Sequence, residues 1–100
     1  MHIGSQITDL ASFEAAYRRG AELFRALRGQ GFALRRLDLG GGFGVRYADE
    51  SAVTPDELAR LVRQCAEGLG AEIWLEPGRY LVAEAGVLIT SVIYVKDSDE

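Results

Sequence analysis

The chain has 100 residues, a net charge of -4, and a hydrophobic fraction of 48% beside 26% charged residues, which bounds it at one small globular domain. No basic block offers a surface to nucleic acid or an anionic membrane, no apolar run reaches the ~18 residues of a membrane span, and no signal-peptide pattern opens the chain. Cys65 is the single cysteine and His2 the single histidine, which excludes a disulfide framework and a Cys/His metal set; a reducing, cytoplasmic setting fits.

In chain order, "MHIGSQ" is a short strand-like piece. "LASFEAAYRRGAELFRALRGQG" then repeats apolar residues at Leu10, Phe13, Tyr17, Phe24 and Leu27, the spacing of a helix with one buried stripe. Gly29 and Gly31 end it. "LRRLDL" reads as a strand running into Gly40, Gly41 and Gly42, and "VRYADESAV" as a polar loop. "TPDE" opens a second helix with Thr54 as N-cap, Pro55 at the first helical position and Glu57 three residues after the cap. Leu58, Leu61, Val62, Cys65 and Leu69 form its apolar face, and Gly68 and Gly70 close it. "AEIWLE" is the next strand, turned by Pro77 and Gly78; a short helix follows through "RYLVAEAG". "VLITSVIYV" is a long β-branched run with the composition of a strand.

The order β-α-β-α-β-α-β predicts a parallel sheet with helices packed on it. Three strand ends carry unusual residues: "HIGSQ", "GGGFG" and "EPGR". Ligands of parallel α/β folds collect at the carboxyl ends of strands, so the three motifs are expected on one rim. Their spacing of roughly 35 residues matches the βα repeat of an eight-unit barrel.

The glycines fail the dinucleotide fingerprint, because Val45 stands where its last glycine belongs. They fail the P-loop pattern too, with no Gly-Lys-Ser/Thr after them. Bare N–H groups at such a turn cradle an anion, usually phosphate; the plainer reading is a tight turn or bulge. Glu76 at a strand end points into a site, and Arg79 offers a planar fork for phosphate or carboxylate; the plainer reading is a surface ion pair around a turn. His2 and Ser5 read either as a frayed terminal residue and a turn hydroxyl, or as a ring-stacking imidazole and a phosphate donor. Asp38 faces the site or, as the preferred reading, pairs with a neighbouring arginine.

"HIGSQ", "LDLGGGFG" and "EPGRYLVAEAG", in this order and spacing, resemble the barrel domain of the pyridoxal-phosphate-dependent decarboxylases of fold type III. The resemblance spans essentially the whole chain and implies part of a (β/α)8 barrel, an α/β fold. Residues 1–86 would be the C-terminal portion of the barrel and 87–100 the start of a following β-domain. Within the family, Gln6 favours the branch acting on diaminopimelate over relatives acting on ornithine, which tend to have glycine there.

The implied cofactor is pyridoxal 5'-phosphate. His2 would stack on its ring, Ser5 would bond its phosphate, and Gly40, Gly41 and Gly42 would give the phosphate backbone donors. Glu76 would pair with the pyridine nitrogen, while Pro77, Gly78 and Arg79 would complete the phosphate side, Arg79 also holding a substrate carboxylate. The implied partners are a small amino-acid substrate and a second subunit in a homodimer, with neither nucleic acid nor membrane and no metal. The family's lysine that binds pyridoxal covalently lies upstream of "HIGSQ", where this chain has no residue. Lys96 is outside the matching position and reads as a solvated lysine.

The chain is therefore expected to be a fragment, inactive alone, with open sheet edges. Two other classes compete. A non-catalytic pyridoxal-phosphate-binding relative is disfavoured by "EPGR". In a plain phosphate-binding module, Glu76 would be dispensable for affinity.

Overall fold

The computed structural model describes residues 1–49 and 51–96. Five elements follow in order: α1 (Leu10–Gly29), β1 (Arg36–Asp38), α2 (Pro55–Ala66), β2 (Glu72–Trp74) and α3 (Gly78–Val82). Helix α1 starts where Asp9 adopts extended backbone and its carboxylate takes the Ser12 N–H at 2.8 Å, satisfying one of the orphan donors of a first turn. It ends as Gln30 N–H meets the carbonyls of Ala26 and Leu27, both at 3.1 Å, before Gly31 turns left-handed at φ 94°. Its buried stripe is Phe13, Tyr17, Ala21 and Phe24; Leu10 and Leu27 are half-buried at its ends.

Helix α2 has the expected cap. Glu57 N–H donates to Thr54 Oγ1 at 3.3 Å, Thr54 N–H donates to Glu57 Oε2 at 2.9 Å, and Pro55 follows the cap. Leu58, Leu61 and Cys65 are buried along it, and Leu69 lies just beyond.

Strands β1 and β2 pair in parallel, with Arg36, Leu37 and Asp38 opposite Glu72, Ile73 and Trp74. Pairing runs on past both ends, from Glu72 N–H to the Arg35 carbonyl, from Leu39 N–H to the Trp74 carbonyl and from Glu76 N–H to the Gly40 carbonyl, each at 2.9 Å. Helix α1 lies against both α2 and β1. Leu37 and Ile73 point from the sheet into this helical layer, where the core gathers Phe13, Tyr17, Leu39, Phe43, Leu58, Leu61 and Cys65. The Phe13 ring sits 5.5 Å from that of Phe43 and 5.8 Å from that of Tyr17. Side chains alternate along a strand, so Arg36, Asp38, Glu72 and Trp74 occupy the helix-free face. There Arg36 pairs with Glu72 at 2.8 Å and stacks 4.7 Å from the Trp74 ring.

Three expected elements differ. Residues 1–6 form no strand; a single parallel bridge joins Ile7 to Phe43. The run 87–95 forms none either, and Val87, Leu88, Ile89, Val92 and Ile93 are 81–97% exposed. β-propensity expresses packing against neighbouring strands, and among the described residues no strand lies beside this run to complete a ladder. Residues 97–100 of that expected segment lie outside the described residues. Finally, α3 is shorter than its expected span and buries no residue; a single turn without packing does not propagate.

Candidate functional site

The three motifs do meet on one rim, and backbone hydrogen bonds bring them there. Met1 N donates to the Asp38 carbonyl at 2.8 Å. Ile7 N–H donates to the Gly42 carbonyl at 3.0 Å, and Gly44 N–H donates back to the Ile7 carbonyl at 2.9 Å. From the other side, Glu76 N–H reaches Gly40. The glycine turn is thus the middle of three chain segments, with residues 1–7 on one flank and Glu76 on the other.

Packing within the chain is reason enough for the glycines. A Cβ on Gly40 would overlap the Met1 carbonyl, one on Gly41 the Glu76 carbonyl, and one on Gly42 the Gly4 carbonyl. Gly40 and Gly42 also hold φ of 76° and 93°, where a side chain is strained. What comes too close for a Cβ is the chain's own flanking backbone. Asp38 does not make the expected arginine pair: its carboxylate takes the Gly40 N–H at 2.7 Å and has no arginine partner among the described residues. Gly40 N–H is therefore committed within the turn. The N–H groups of Gly41 and Gly42 have no partner among the described residues, and two adjacent free donors at a strand end suit an anion.

The chemistry-bearing side chains around the turn are largely uncommitted. His2, Ser5 and Glu76 are exposed, and among the described residues their side chains make no hydrogen bond or ion pair. Strand alternation puts Glu76 on the helix-free face with Glu72 and Trp74. Next comes an inverse γ-turn: Pro77 at φ -79° and ψ 53° lets Gly78 N–H reach the Glu76 carbonyl at 2.8 Å. That commits Gly78's own donor and starts α3, which carries Arg79.

Arg79 is tied in by Gln6, which the sequence marks only for the branch of the family, and by Tyr47, which it does not mark. Its Nη1 donates to Gln6 Oε1 at 3.3 Å and to the Tyr47 hydroxyl at 3.4 Å. Gln6 in turn donates from Nε2 to the Val45 carbonyl at 2.6 Å and accepts the Val45 N–H on Oε1 at 3.2 Å. Gln6 is the one non-glycine residue among those described with positive φ, at 60°, a conformation costing on the order of 1–3 kcal/mol. Nothing in "HIGSQ" announces that backbone. Tyr47 lies in the stretch whose composition reads as a polar loop. An apolar hollow of about 190 Å³ opens between Phe43, Val53, Leu58, Pro77 and Tyr80.

Residues 1–83 match the family model described as pyridoxal-dependent decarboxylase, pyridoxal binding domain. The chain is 46% identical to the diaminopimelate decarboxylase of Zymomonas mobilis over 97% of its own length, and 45% identical to that of Pseudomonas aeruginosa over 98%. It spans 24% of the length of each. The crystal structure of diaminopimelate decarboxylase from Helicobacter pylori complexed with L-lysine superposes with a TM-score of 0.80 at 38% identity, covering 83% of this chain and 21% of that one.

Proposed function

The chain belongs to the pyridoxal-dependent decarboxylases, and from that premise we propose that it supplies part of the cofactor site of an enzyme converting meso-diaminopimelate to lysine and CO2. The observation that carries the proposal is the convergence of Met1–Ile7, the glycine turn and Glu76–Arg79 on one rim, with Gly41 and Gly42 presenting unpartnered N–H groups. The names of the relatives and the lysine held by the Helicobacter pylori enzyme support this substrate over ornithine or arginine.

When bound, pyridoxal phosphate supplies an electron sink for the charge left on an amino acid's α-carbon as CO2 departs. In this reading Gly41, Gly42 and Ser5 hold the phosphate. Gly40 shapes the turn while its N–H rests on Asp38. His2 covers a ring face. Glu76 keeps a proton on the pyridine nitrogen, the role for which an uncommitted carboxylate at a strand end is suited. Pro77 and Gly78 aim Arg79 at an oxyanion, the phosphate or a substrate carboxylate. Charge-assisted hydrogen bonds of this kind are worth about 1.5–3 kcal/mol each.

Residues 1–86 make the last βα units of a (β/α)8 barrel, and 87–100 lead into a β-domain whose strands would cover the exposed run. The lysine that bonds the cofactor comes from outside this chain, Lys96 being exposed and remote in sequence from the motifs. The working assembly is a homodimer in the cytoplasm, with a small amino acid as its ligand. Among the described residues no helix is long and apolar enough to cross a membrane.

The test is a chimera in which residues 1–96 replace the matching segment of the Helicobacter pylori enzyme. The expected result is lysine release from meso-diaminopimelate, abolished by Glu76→Ala. A folded, cofactor-loaded chimera that leaves meso-diaminopimelate intact would refute the substrate reading.

A further inference from the structure

Gln6 does three things at once. Its backbone holds the left-handed φ of 60°. Its side-chain amide closes a two-way ring with the Val45 backbone, at 2.6 and 3.2 Å. The same Oε1 that accepts from Val45 also takes Arg79 Nη1 at 3.3 Å. The ring continues the backbone ladder of Ile7 with Gly42 and Gly44, so the amide acts as one more rung. Glycine would fill the position with less strain, which makes the side chain the reason for the residue.

We infer that Gln6 is a positioning residue that clasps the Val45–Tyr47 segment and, through Oε1, fixes the guanidinium of Arg79 to receive an oxyanion. A neutral amide suits this task. It orders Arg79 through one acceptor without cancelling its charge, leaving the remaining donors of the fork to a ligand. The Tyr47 hydroxyl, 3.4 Å from the same nitrogen, is a second neutral brace. The inference rests on the proposed cofactor and substrate reading for the nature of the oxyanion, a phosphate or a carboxylate.

The test is amide and guanidinium NMR on the full 100-residue chain as wild type, Gln6→Gly and Gln6→Glu, with pyridoxal phosphate in one arm and meso-diaminopimelate in the other. In Gln6→Gly, Leu58 and Leu61 should keep their hydrogen-exchange protection while Val45 exchanges about tenfold faster or more. Arg79 Nε–H should lose its order, and its response to the anion should weaken by a similar factor. In Gln6→Glu, Arg79 should stay ordered but be neutralised by an ion pair, so anion binding falls although order does not. The arm that moves Arg79 identifies phosphate or carboxylate as its partner. Unchanged Val45 and Arg79 signals in Gln6→Gly, beside a normal wild-type anion response, would overturn the clasp. Loss of protection at Leu58 and Leu61 would reduce Gln6 to a structural residue and overturn it as well. A loosened Gln6→Gly with no response to either anion at wild-type Arg79 would instead overturn the purpose given to the clasp, and with it the reading beneath.

Discussion

Tyr17 is 1% exposed, and its hydroxyl is buried with no hydrogen-bond partner among the described residues. Burial pushes its ionisation up from 10.0 to about 12, with the nearby Cys65 adding to the shift. The folded value lies above the unfolded one, so the stability linked to this group is intact below pH 10 and declines as pH rises from there toward 12. Tyr17→Phe removes an unsatisfied polar group and should raise stability by about 1 kcal/mol. It should also flatten the alkaline decline in thermal melts; a destabilised variant would mean that the hydroxyl has a partner in solution. The glycines give the opposite case. Gly42→Ala combines a φ of 93° with overlap on the Gly4 carbonyl and should cost at least about 1–3 kcal/mol. Gly29→Ala meets nothing within 4 Å and should be neutral or slightly stabilising. At this scale the sequence marked the right glycines, while the cause lay in carbonyls from Met1, Gly4 and Glu76, residues distant along the chain. Gln6 was legible as part of a motif but not as a left-handed clasp, because φ at a non-glycine residue leaves no mark in composition or spacing.

Among the elements, α2 was readable almost atom by atom. A capping box is local chemistry between Thr54 and Glu57, and Leu58, Leu61 and Cys65 repeat at helical spacing. Thr54→Ala should destabilise the chain by about 1 kcal/mol in chemical denaturation. The side-chain and backbone hydrogen bonds from Thr54 hold the Glu57 carboxyl below its ordinary value. Its contribution is therefore complete above the ordinary carboxylate range and disappears as pH falls through the depressed folded value. Thr54→Ala should lose most of this acid-side dependence, and a variant with unchanged acid dependence would show that the box does not form in solution. The strands were less legible. Leu37 and Ile73 satisfy strand patterning and have each other's strand as partner. The β-branched run 87–95 satisfies it better and has no partner, so composition identified strand capability where pairing was lacking. Residues 1–6 instead joined the sheet's rim through isolated bonds, enough to bring His2 and Ser5 to the glycine turn.

The whole molecule divides into a packed α/β unit and a projecting apolar segment. The radius of gyration is 18.2 Å, against ~13 Å for a compact chain of this length. Val87, Leu88, Ile89, Val92, Ile93, Tyr94 and Val95 are all at least 71% exposed, in a run without proline, glycine or charge. Left uncovered, such a segment favours association. Sedimentation should show concentration-dependent self-association that disappears when residues 87–100 are removed, with the melting of α1 and α2 preserved. Loss of the helical melt on truncation would show that the segment folds onto the core.

We propose that this α/β unit presents a phosphate-binding turn for pyridoxal phosphate. The most direct test is a pyridoxal phosphate titration of the chain followed by backbone amide NMR. The Gly41 and Gly42 N–H signals should move saturably. Gly40, held on the Asp38 carboxylate at 2.7 Å, should move least of the three. Saturable shifts that bypass Gly41 and Gly42, or no saturable shift in a chain whose α2 amides are protected, would contradict the account.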